Sequence, residues 1–61
     1  MKLSKVEKAI RYEFPGPNNK GLRAELRKCE YPEQVRLLAH FTGFTACGLA
    51  SLEAVAEAFE V

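Results

Sequence analysis

The run Pro15-Gly16-Pro17-Asn18-Asn19 limits the fold of this chain more than any other segment. Each proline pushes the residue before it out of the helical region, and Gly and Asn favour turns, so no regular element passes through. Pro32 and Gly43 punctuate the remainder. Proline suits the first position of a helix, where its missing N–H has no intrahelical partner, and glycine ends helices by taking a left-handed conformation. None of the intervals between these breaks alternates apolar and polar residues, and no Asn-Gly or Asp-Gly turn joins two of them. The pattern argues against strands.

Leu3, Val6, Ile10 and Phe14 recur at the spacing of one helical stripe, and Ser4 with Glu7 three residues later has the form of a capping box. Helix one is therefore expected over about 4–13. Asn18 or Asn19 is the expected cap of a helix over about 19–29, with Leu22, Leu26 and Cys29 on one face and Lys20, Arg23 and Arg27 on another. A third helix over about 32–42 places Val35, Leu38, Ala39 and Thr42 on one face, with Leu37 and Phe41 beside it. Thr45 caps the fourth, over about 46–60, with Leu49, Leu52, Val55, Ala56 and Phe59 on its apolar side. Ser51 is the rival start, since Gly48 costs about 1 kcal/mol relative to Ala inside a helix. The expected fold is all-α, a compact bundle of four short helices forming one domain over 1–61.

The chain has 61 residues, and a domain of this size hides only about 60% of the surface its unfolded form exposes. Two-domain enzymes, nucleotide-binding sheets and repeat arrays are excluded by length. The opening residues lack the apolar core of a signal peptide and no stretch is long enough to span a membrane, so a cytoplasmic location is expected. In that compartment Cys29 and Cys47 are free thiols. Net charge is +1, but residues 1–40 hold all nine basic side chains and five Glu, while 41–61 hold only three Glu. Balances of +4 and −3 follow, and attraction between the two halves is the simplest reading.

Enzyme chemistry has little to draw on. His40 is the single His and Asp is absent. The spacing of His40 and Cys47 does not force a base onto a thiol, and Cys47 is expected to be a small buried hydrophobe. Cys29, His40 and Cys47 are too few and too far apart for a structural zinc site, and the glycines form no phosphate loop. No cofactor and no metal are expected.

The run Leu38-Ala39-His40-Phe41-Thr42-Gly43-Phe44-Thr45, followed by Leu49 and Leu52, resembles a helix-turn-helix unit over about 35–54. The resemblance implies close helix approach at Ala39, a turn at Gly43, a plug at Phe44 and anchors at Leu49 and Leu52. It makes a small DNA-binding regulator the alternative reading of function. Against it, the second helix would offer Ala46, Cys47, Ala50, Ser51 and Ala54, none of which pairs bidentately with base edges.

Ala46, Ala50, Ala54 and Ala58 recur every four residues and form a ridge of methyl groups that lets another helix come close, inside the bundle or from a second copy. Tyr12, Tyr31, Arg23 and Arg27 are the expected anchors for a partner, because aromatics and Arg dominate interface energetics. The favoured reading is a non-enzymatic protein–protein interaction module, such as a bacterial or bacteriophage accessory protein that modulates a larger partner. Homodimerisation through helix 46–60 is one option within it.

Overall fold

In a computed structural model, which describes residues 2–60, four helices follow one another: α1 Lys2–Glu13, α2 Lys20–Arg27, α3 Pro32–Thr42 and α4 Ala46–Glu60. The side chains of Leu3 and Thr42, placed above on the first and third stripes, lie outside the described residues, as does that of Lys2. A single 3-10 turn, Pro17–Asn19, leads into α2, and there is no strand among the described residues. The all-α bundle expected from the breaks is the observed fold.

The helix ends differ from expectation in three places. Ser4 lies inside α1 and caps nothing, since the helix already runs from Lys2; Glu7, its expected partner, turns instead to Arg11 and Arg27. Asn19 stands at the start of α2, but its Nδ2 donates back to the Pro15 carbonyl at 2.7 Å, and no side-chain cap forms. α2 stops at Arg27, where the N–H groups of Lys28 and Cys29 bond tightly to the carbonyls of Glu25 and Leu26. By contrast, Pro32 opens α3 as expected. Gln34 Oε1 accepts from the backbone N–H of Tyr31 at 3.0 Å and from that of Glu30, which satisfies two donors at the helix entrance.

Gly43 ends α3 at φ 62° and ψ 49°, the left-handed region that disfavours any residue with a Cβ. Thr45 Oγ1 then accepts from the Gly48 N–H at 3.3 Å, so α4 begins after Thr45 and not at Ser51. Gly48 has a steric role that its low helix propensity hides. A Cβ there would stand 2.7 Å from Cδ1 of Phe44 and 3.3 Å from its Cβ. The absent side chain lets the Phe44 ring fold back on α4 and meet Phe14, with ring centroids 6.2 Å apart and planes tilted by 56°.

The core is built from Val6, Ile10 and Phe14 of α1 and its first flanking residue, Leu26 of α2, Val35 of α3, and Leu52, Val55 and Ala56 of α4. α4 is the central element, packed against both α1 and α3, while α2 rests on α1. Ala56 is fully buried on α4, beside Ala58 of the predicted ridge, which is half-buried and packs against the same core. Leu49, expected as a core anchor, is 44% exposed, at the α3 edge of α4 beside Arg36 and Glu53. Cys47, expected to be buried, is exposed in the first turn of α4.

Two glycine substitutions should move stability in opposite directions. Gly48→Ala forces the Phe44 ring off Phe14 and should cost about 1 kcal/mol or more, of the size of a core overpacking. Gly21→Ala, with nothing within 4 Å of the added methyl, should stabilise α2 by about 0.5–1 kcal/mol. Urea denaturation of both variants checks this; a Gly48→Ala protein as stable as wild type would remove the steric role.

Candidate functional site

α2 and α3 are both held to the central pair of helices but do not pack closely on each other. Between them lies an open cleft of about 560 Å³ lined by Gly21, Leu22, Glu25, Leu38, Phe41 and Phe44. Leu22, Leu38 and Phe44 are half-buried and pack against the core, so they form its floor. Phe41 is different. Its side chain lines the cleft yet is 81% exposed, and Leu37, one turn earlier on the same helix, is 54% exposed. An exposed Phe on the lip of an apolar cleft is unusual on a monomer surface, where single scattered apolar residues are the norm.

The four predicted anchors separate into two kinds. Tyr12 and Tyr31 are exposed at 83% and 60%. Arg23 and Arg27 are engaged within the chain. Arg23 Nη1 donates to the carbonyls of Phe14 at 2.6 Å and Gly16 at 2.7 Å, closing the end of α1 and the Pro-Gly-Pro turn onto α2. Arg27 donates through Nε and Nη2 to the Glu7 carboxylate, at 2.8 Å for the shortest contact, and Arg11 joins the same carboxylate at 2.8 Å. No spacing rule reveals these roles, because the partners of Arg23 and Arg27 lie on another element.

These contacts hold Glu7 well below its ordinary value of 4.5, at about 2, chiefly through the Arg27 hydrogen bond; desolvation opposes it, and the Arg11 hydrogen bond and the charges of both arginines add to the lowering. Arg36 of α3 bridges Glu53 and Glu60 of α4, both at 2.8 Å. Hydrogen bonding to Arg36 lowers the Glu53 carboxyl. The charge asymmetry is thus partly used inside the molecule, where a basic residue of the first half ties two acids of the second.

The alanine ridge is divided. Ala46 and Ala50 are exposed, whereas Ala54 and Ala58 are half-buried, and Ala58 packs against the core. The face that α4 leaves to solvent carries Ala46, Cys47, Ala50, Glu53, Glu57 and Glu60. His40 is exposed on α3. Cys29 is half-buried and donates to the Glu25 carbonyl at 3.6 Å; burial pushes its thiol up, with the Glu25 carboxylate adding to the effect. No cluster of three metal-ligating side chains occurs among the described residues, and no helix there is long and apolar enough to cross a membrane.

Comparison with known protein families, curated proteins and solved structures finds no match to this chain.

Replacing Arg23 by Gln should destabilise the fold by about 1–2 kcal/mol, since two carbonyls lose a charged donor. Thermal unfolding measures it, and an unchanged midpoint would return Arg23 to the free surface. The Glu7 cluster predicts an acid response. Because the folded pKa lies below the unfolded one, its contribution is complete above about pH 4.5 and is lost as pH falls towards 2. The pair is solvent-screened, so the loss should be only a few degrees in midpoint. Glu7→Gln should flatten the wild-type decline between pH 4.5 and 2; parallel curves would contradict it.

Proposed function

We propose that this chain is a non-enzymatic protein–protein interaction module that docks through the cleft between α2 and α3. The observation that carries the reading is Phe41, 81% exposed on the lip of an apolar cleft. Aromatic side chains bury about 150–250 Å² each and act as interface anchors when a pocket receives them. Tyr31 of the α3 entrance and Tyr12 of α1 are further exposed aromatics that a larger partner can contact.

The favoured surface shifts from the residues that composition and periodicity suggested. Arg23 and Arg27 act as internal ties, and half of the alanine ridge is taken up by the bundle. DNA reading through the α3–α4 unit is the weaker alternative. The exposed residues of α4 include three Glu and no Arg, Lys, Asn or Gln, so they repel phosphate and supply no donor to base edges. Two free thiols, one exposed, suit a reducing compartment, which makes the cytoplasm the proposed location.

The test compares wild type, Phe41→Ser and Ala50→Glu as tagged proteins for capture of interacting protein from source cells, with cross-linking. Phe41→Ser should reduce capture at least tenfold, and Ala50→Glu should leave it intact. Equal capture by Phe41→Ser and wild type would sink the proposed surface.

A further inference from the structure

Charge is divided between the two halves of the bundle more sharply than between the two halves of the sequence. Residues 2–28 hold eight of the nine basic side chains and three of the eight Glu, a balance of +5, while residues 29–61 hold Arg36 and five Glu, a balance of −4. The fold packs α2 on α1, which brings the cations of both helices together. Their junction is Glu7, whose carboxylate takes Arg11 from its own helix and Arg27 from α2, each at 2.8 Å. Along α1, Lys5, Lys8 and Tyr12 follow at intervals of three and four, an exposed stripe opposite buried Val6, Ile10 and Phe14. Lys20 is exposed on the stripe of α2 that carries Arg23 and Arg27.

We propose that this α1–α2 face binds single-stranded nucleic acid, with Lys5, Lys8, Arg11, Lys20 and Arg27 along the phosphates and Tyr12 stacked on a base. The surface is separate from the α2–α3 cleft, and the inference does not rest on the reading of that cleft.

The face keeps its positive charge. Of the three acids in residues 2–28, Glu7 is shared by two arginines, Glu25 is paired with Lys28 at 3.1 Å, and Glu13 stands about 100° round α1 from Tyr12. Lys5, Lys8 and Lys20 form no ion pair among the described residues. Arg11 meets Glu7 through Nε, which leaves both Nη groups to donate outward. A guanidinium fork matches the oxygens of a phosphate.

An acidic protein, an anionic membrane and a nucleic acid all complement such a charge, and the surroundings of Tyr12 choose among them. Protein interfaces are apolar at their centre and depleted of Lys. Here the other exposed large apolar side chains, Tyr31, Leu37, Phe41 and Leu49, all lie outside α1 and α2. A membrane surface takes up a helix by its apolar face, and that of α1 is closed in the core. Nucleic-acid interfaces, by contrast, are polar and strongly positive. A single exposed ring in line with lysines is the combination that holds a strand without regard to sequence, since cations track the backbone while the ring stacks on a base. Bases inside a duplex are already stacked on one another, so a ring on a convex helix finds its partner in an unpaired strand.

Fluorescence anisotropy of the full chain with a labelled oligothymidine of about 15 nucleotides, within the span of such sites, tests the proposal. Binding should be micromolar at low salt, and log K should fall against log salt with a slope of about −3 for roughly four phosphates neutralised. Lys8→Gln should reduce the slope by about 0.7, and Lys5→Glu/Lys8→Glu should weaken binding about tenfold or more. Tyr12→Ser should weaken it about fivefold or more with the slope unchanged, because stacking releases no counterions. Circular dichroism should show these variants folded, since each replaced side chain is exposed. Phe41→Ser should bind as wild type does, which separates this face from the cleft. Absence of binding at low salt overturns the proposal, as does binding indifferent to the lysine variants. Polyglutamate that displaces the strand at equal charge, or phosphatidylserine vesicles that bind as tightly, overturns the choice of nucleic acid. Tighter binding of a duplex, with Tyr12→Ser silent, overturns the single strand.

Discussion

Everything in this bundle depends on how closely α4 is held by its two neighbours. Val55 and Ala56 are fully excluded from solvent on that helix, and Leu52 nearly so. A buried methyl group at Ala56 brings backbones together where a larger side chain would hold them apart. Because α4 sits between α1 and α3, these three helices frame one core, to which α2 adds Leu26. α2 is left with α1 as its support, and Leu26, fully buried, is its main attachment.

The cleft is a consequence of that arrangement. α2 leans on one flank and α3 on the other, and neither closes on its counterpart. Phe44, in the turn between α3 and α4, partly fills the junction by folding back over Gly48 towards Phe14. Its placement links the core to the surface, since the same ring contacts buried Phe14 and lines the open cleft. The turn chemistry of Gly43 and the missing Cβ of Gly48 thus set the shape of the proposed docking surface.

Polar contacts have a different task. Arg23 and Arg27 fasten α2 and the Pro-Gly-Pro turn to α1, and Arg36 fastens α3 to α4. Solvent-exposed pairs contribute little stability each. Arg23 is the exception in kind, because it satisfies backbone carbonyls in a turn whose prolines have no N–H to offer.

The four helical segments, their breaks at 15–19, 32 and 43, and the stripe Val6-Ile10-Phe14 were legible from the sequence, because proline, glycine and a 3.6-residue period act locally. So was the Thr45 start of α4. The cap at Ser4 and the burial of Cys47 and Leu49 were misread. Period assigns a residue to a face, but whether that face is covered depends on which helices become neighbours. The tertiary structure alone paired Arg23 and Arg27 with partners on other elements, divided the alanine ridge, and left Leu37 and Phe41 in solvent. The physical reason is shared by all of them: a side chain's exposure and its hydrogen-bond partner are set by residues far away in the chain, which no local spacing encodes.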